Sequence, residues 1–98
     1  MVVYISGKMR GLQDLGREHF ARAEERLAEA GHVVINPAVL PLGLRSESYM
    51  PICLAMVDAA DAIYMLEDWH DSPGAKLEHD YAVAQKKTVL FENHSHEK

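Results

Sequence analysis

Two short segments concentrate the residue types that can bind or attack a small molecule. In the first, Ser6, Gly7, Lys8, Arg10 and Gly11 set two glycines and two cations close together. Glycines let a backbone turn tightly and approach a ligand, and the cations beside it suit an anion. The same residues also suit a plain turn with solvated charges. In the second, Trp69, Asp71, Ser72 and Gly74 lead to Glu78. Ser72 followed by Pro73 reads as a helix cap and first helical residue. Amide donors and the positive helix end gather there, able to take a phosphate or hydroxyl or simply to start a helix. Glu78 lies one turn farther on, with Gly74 and Ala82 on its stripe. A carboxylate between small residues can reach into a groove, whereas helical glutamates commonly face water. Trp69 can stack on a base or cap the edge of the core, and the Tyr4 hydroxyl can orient Glu78 or find a backbone partner.

Other chemistries lack their residues. His94 and His96 sit in the tail and His70 and His79 flank the second loop, with no spacing that matches a recognised zinc motif, so no metal is expected. No serine lies in a nucleophile-elbow pattern, and the glycines of residues 6–11 fit neither the dinucleotide fingerprint nor the phosphate-binding P-loop. No cofactor is expected.

The elements that must position these loops alternate regularly. Val2–Ser6 is a short apolar run and reads as a first strand. Residues 14–30 read as a helix with Asp14 as N-cap, Phe20, Ala23, Leu27 and Ala30 on one stripe, and Gly31 as a left-handed stop. Residues 32–36 form a second strand, and Pro37 begins a long connection through Pro41, Gly43 and Ser46, a candidate lid. A helix over residues 48–60 tolerates Pro51 in its first turn. Residues 62–66 form a third strand. The helix opened by Ser72 ends near Lys86 and Lys87, cations suited to its carboxyl end. Thr88–Phe91 is the fourth strand. This βαβαβαβ series predicts an α/β fold, a three-layer flavodoxin- or Rossmann-like domain over residues 1–92. Its four-stranded parallel sheet has the order 2-1-3-4, with helices on both faces. Ligands of such sheets bind beyond the carboxyl ends of the strands where the chain turns to opposite faces, here residues 6–11 and 67–74.

Bulk properties agree with a small soluble domain. The 98 residues are 48% hydrophobic and 26% charged. No apolar run is long enough to span a bilayer, the amino end lacks a secretory pattern, and the single cysteine, Cys53, excludes an internal disulfide. These features predict a cytoplasmic protein without a membrane partner. A net charge of -5 argues against a nucleic acid polymer, yet one arginine and a helix end can hold a single small anion. The polar tail at residues 93–98 is expected to fray.

The segments YISGKMRG at residues 4–11 and DSPGAKLEHDYAVA at residues 71–84 resemble the nucleoside 2-deoxyribosyltransferase superfamily. The likeness spans nearly the whole chain and is closest to small bacterial and phage members sharing Asn36-Pro37, a tryptophan loop and a GAxxE motif from Gly74 to Glu78. The chain also resembles the nucleoside 5′-monophosphate N-glycosidases of that superfamily. There an arginine placed like Arg10 and a serine placed like Ser72 help to bind phosphate.

The resemblance implies that Glu78 attacks C1′ of a sugar while Tyr4 holds it, displacing the base through a glycosyl-enzyme ester. An ionised carboxylate is needed, and the helix amino terminus is expected to favour that form. It also implies a nucleoside or nucleotide as small-molecule partner and a homo-oligomer. Two departures stand out. Lys8 replaces a proline common in the small members, and Cys53 falls where characterised members carry an aspartate that contacts the sugar and assists proton transfer, work unsuited to a thiol. The leading expectation is therefore an N-glycosidase or deoxyribosyltransferase. A nucleotide-binding or sensing module with weak or lost chemistry is the alternative, and a purely structural domain ranks third.

Overall fold

The computed structural model describes residues 1–92, and the tail at residues 93–98 lies outside the described residues. Four parallel strands, β1 (Val2–Ser6), β2 (Val33–Ile35), β3 (Ala62–Met65) and β4 (Thr88–Phe91), form one sheet of order β2-β1-β3-β4. That is the expected α/β topology. Three helices connect them: α1 (Arg17–Glu29), α2 (Ser46–Ala59) and α3 (Pro73–Ala84). Among the described residues no helix is long and apolar enough to cross a membrane.

Strand alternation divides the core into two layers. Val3 and Ile5 pack with Phe20, Ala23 and Leu27 of α1, whereas Tyr4, between them, packs with Cys53 and Val57 of α2 and Ala75 and Ala82 of α3. Ile63 and Met65 of β3 join the second layer. The pairing of Tyr4 with Ile63 and Ser6 with Met65 sets the register. A slip by one residue would turn Tyr4 away from α2 and α3.

Several boundaries differ from the sequence expectation for local reasons. Helix α1 begins at Arg17 rather than Asp14, because the chain enters through left-handed Leu15 (φ 56°) and Gly16 (φ 76°). A Cβ on Gly16 would also lie 2.7 Å from the Lys8 carbonyl. Asp14 still caps from a distance: its carboxylate accepts the Gly16 and Glu18 amides at 2.9 and 3.1 Å, which holds its pKa below the usual carboxylate value. Gly31 ends the helix at φ 94°, as expected, with its amide on the Ala28 carbonyl and that of His32 on Leu27.

Helix α2 starts at Ser46, two residues before the predicted start, so Pro51 lies inside the helix and not in its first turn. The carbonyl that Pro51 leaves without a helical donor belongs to exposed Glu47, where water can serve it. Lys86 and Lys87 follow α3 rather than completing it. Lys86 takes the left-handed stop at φ 62°, and the Lys87 ammonium donates to the Asp58 carbonyl at 3.0 Å, serving the end of α2 instead. The connection after β2 holds a 3-10 turn, Pro37–Val39, capped by the Asn36 side chain on the Ala38 amide.

Gly7 is required by contact. A Cβ there would meet the Leu66 side chain at 2.7 to 2.9 Å, inside any ordinary packing distance. Leu66 is fully buried and cannot withdraw. Gly7→Ala is therefore expected to lower unfolding stability by about 1–3 kcal/mol, as overpacking of a filled core does. Gly74→Ala, which meets only a Met50 methyl at 3.4 Å, should cost less. Urea denaturation of both variants provides the check, and an undiminished midpoint for Gly7→Ala would contradict the contact argument.

Candidate functional site

Register and helix placement bring one carboxylate under the carboxyl end of β1. Ser6 and Tyr4 project to the same side of the strand, toward α3, where Glu78 lies between Ala75 and Ala82. The Ser6 hydroxyl donates to Glu78 Oε1 at 2.6 Å across 72 residues of sequence. Both side chains are buried, Glu78 being 6% exposed. Ser6, which the sequence offers as a ligand-binding residue, is thus the hydrogen-bond partner of Glu78.

Burial is the largest influence on Glu78 and pushes its pKa up to about 7, with Ser6, Tyr4 and Cys53 pulling the other way. This corrects the expectation that the helix amino terminus keeps Glu78 ionised. The residue sits beyond the first turn of α3, where the helix field has faded, and desolvation prevails. Near neutral pH the carboxyl therefore exchanges a proton readily.

Tyr4 is completely buried, and its hydroxyl is the one buried side-chain polar atom among the described residues that lacks a hydrogen-bond partner. Burial first, then the neighbouring Glu78 carboxylate, raise its pKa well above the ordinary phenol value, so it stays neutral. An orphaned hydroxyl next to a carboxylate can donate to whatever enters beside it. Cys53 is buried against the same group, and burial pushes its thiol up, away from thiolate. Tyr49, one turn before Cys53 on α2, is half-buried and donates its hydroxyl to Met9 Sδ at 3.0 Å.

Tyr4, Ser6, Tyr49 and Glu78, but not Cys53, line a cavity of about 170 Å³. Tyr4, Ser6, Gly7, Arg10, Ser72, Gly74 and Glu78 line it, so seven residues singled out in the sequence meet around one space. Ser72 accepts the Ala75 amide through Oγ at 3.1 Å and caps α3, which leaves its hydroxyl proton free to donate. A second cavity of about 200 Å³ adjoins the first, sharing Met9, Arg10, Pro37 and Tyr49. Residues 40–44 of the candidate lid and Arg17 complete its wall.

Lys8, Gly11, Trp69 and Asp71 do not line the first cavity. The Lys8 amide donates to Asp68 Oδ1 at 3.0 Å, and Gly11 makes an exposed left-handed turn at φ 88°. Asp71 is exposed in the 3-10 turn Trp69–Asp71. Trp69 packs at the edge of the second core layer and stacks on His79 at 4.7 Å and 27°, with His70 and Phe91 nearby. Its core-capping alternative describes it better than base stacking. Sequence reasoning missed Met9, Tyr49 and Met50, apolar or aromatic residues of ordinary helical and loop type. Only the one-turn spacing of Tyr49 from Cys53 carried a signal.

Among solved structures, the 2-desoxiribosyltransferase from Leishmania mexicana superposes with a TM-score of 0.75 at 20% sequence identity. The overlap covers 92% of this chain and 62% of that one, so the chain spans about three-fifths of that enzyme's length. No curated protein matches the sequence. The family described as "Domain of unknown function (DUF4406)" matches residues 1–91, and the chain belongs to that family, with the fold of a 2-deoxyribosyltransferase.

Proposed function

We propose that the protein is an N-glycosidase or deoxyribosyltransferase acting on a nucleoside or nucleoside 5′-monophosphate, with Glu78 as nucleophile. The observation that carries this reading is the buried Ser6–Glu78 pair at the floor of a cavity beyond the carboxyl end of β1. Ser6 occupies Oε1, which leaves Oε2 to attack. In the first step Oε2 bonds to C1′ as the C1′–N bond breaks, and its electron pair leaves with the base, which takes a proton. Water or a second base then displaces Glu78 from C1′ and regenerates the carboxylate. The unpartnered Tyr4 hydroxyl supports Glu78 or the sugar, while Arg10 and Ser72 at the rim hold a 5′-phosphate.

A second reading, a nucleotide-binding module with weak chemistry, is favoured by one observation. Cys53 stands beside Tyr4 and Glu78 with its thiol held neutral, so this position supplies no carboxyl group for proton transfer to the departing base.

The two readings separate in one assay. The protein is incubated with deoxynucleosides, ribonucleosides and their 5′-monophosphates, and free base is measured by chromatography. Base release should fall at least about a hundredfold in Glu78→Gln. Because the ionised form attacks, kcat/KM of the native protein should rise with pH through about 7, the Glu78 value in the free protein. Equal release by both proteins would remove Glu78 from the mechanism. Saturable nucleotide binding without base release would select the second reading.

The same residue carries a stability signature. Its pKa in the folded protein stands above the ordinary 4.5, at about 7, so the neutral form fits the fold better. The associated stability is fully present below pH 4.5 and is lost as pH rises through about 7. Glu78→Gln, which still accepts from Ser6, should be more stable than the native protein at pH 8 by about 3 kcal/mol and nearly equal at pH 4. Thermal unfolding across that range tests it, and a native protein that is the more stable at pH 8 would contradict the burial argument.

The resemblance also leads us to expect an oligomer. Val39 and Leu42, both large and exposed, border the cavities and would be covered in it. Light scattering should give a mass above the 11.0 kDa of one chain.

A further inference from the structure

At the carboxyl ends of β3 and β4, away from the cavity floor, three side chains distant in sequence converge. His19 Nε2 of α1 lies 2.9 and 3.2 Å from the two carboxylate oxygens of Glu92, which follows β4. The Glu67 amide, just after β3, donates to Glu92 Oε1 at 2.8 Å. Ligand-capable atoms of His19, Glu67 and Glu92 lie within 4.8 Å of one another. His19 and Glu92 are largely buried, with side chains 19% and 12% exposed.

We propose that His19 Nε2 and the carboxylates of Glu67 and Glu92 form a binding site for a divalent transition-metal ion of the zinc class. One imidazole and two carboxylates make a donor set of the hardness that zinc and its neighbours accept, with neither the thiolates of a closed structural site nor the all-oxygen cage of calcium. Ligand atoms around a tetrahedral zinc stand roughly 3–3.5 Å apart, and His19 Nε2 and Glu92 Oε2 lie 3.2 Å apart. Glu67 is exposed at the mouth of the cluster, within 4.8 Å of the other two ligand atoms.

The surroundings match what holds such ligands in place. Metal-bound imidazoles usually direct their second nitrogen to a carboxylate, and Asp68 Oδ2 stands 3.7 Å from His19 Nδ1. The Glu92 carboxylate is fixed from outside by Arg26, which donates to Oε2 at 2.6 Å. The ion would tie α1 to the ends of two strands. Through Asp68, which accepts the Lys8 amide, it would also brace the loop that brings Arg10 to the cavity. This assignment does not depend on the proposed reaction.

The test uses the full chain, stripped with a chelator and titrated with zinc chloride by calorimetry, with cobalt(II) absorption as a second readout. One ion per chain is expected, with a raised unfolding temperature. Glu67→Gln, on the surface and checked for an unchanged fold by circular dichroism, should bind at least tenfold more weakly, as should His19→Gln. A variant carrying both His94→Ala and His96→Ala should bind like the native chain. No saturable uptake, uptake undiminished in Glu67→Gln and His19→Gln, or uptake lost in the tail variant would each overturn the site. In those cases the cluster is an ion-pair network alone.

Discussion

The burial of Glu78 is the constraint on which the arrangement of this domain turns. An ionised carboxyl withdrawn from water is costly, and one hydroxyl bond from Ser6 does not cancel that cost, as the elevated pKa shows. Among the described residues Glu78 is the one buried charged side chain. Ser6 reaches Glu78 because β1 pairs in register with β3 and because strand geometry puts Ser6 on the α3 side with Tyr4. Gly7, next in the chain, has no side chain to displace Leu66, so the first core layer closes beneath the turn. A proton-exchanging carboxyl at neutral pH thus follows from register, one missing Cβ and exclusion of water.

Most of the fold could be read from local signals. Ser72-Pro73 marked the start of α3 because a cap and a proline at the first helical position act within a few residues, and the Ser72 side chain does accept the Ala75 amide. Four short apolar runs separated by helical patterns led to the β2-β1-β3-β4 order through general rules of parallel sheets. The misread boundaries have local causes: a left-handed turn at Leu15 and Gly16 delays the start of α1, and the exposed Glu47 carbonyl lets α2 run through Pro51.

The site was legible as a place and less so as a set of contacts. Composition located both loops, since glycines and charges beyond strand ends have few packing uses. It could not tell which side of α3 Trp69 would occupy, because a tryptophan suits a core edge and a ligand wall equally, and here His79 and the second core layer claim it. Nor could it choose between Ser6 and Tyr4 as the partner of Glu78. Both lie on one strand face two residues apart, and the choice rests on side-chain reach. Tyr49 looked like any helical aromatic until α2 folded over β1.

Cys53 has a consequence for the carboxylate beside it. An aspartate at that position, the residue that the resemblance associates with it, would bring a like charge close to Glu78 and raise its pKa further unless one of the two stayed protonated. A buried thiol kept neutral adds no such repulsion, and its hydrogen-bonding influence lowers the Glu78 value. Exchanging carboxyl for thiol therefore removes a proton donor and leaves Glu78 the more ionisable. Under the proposed reaction, an ionised Glu78 holds no proton to give, so the leaving base would take its proton from the substrate or from solvent.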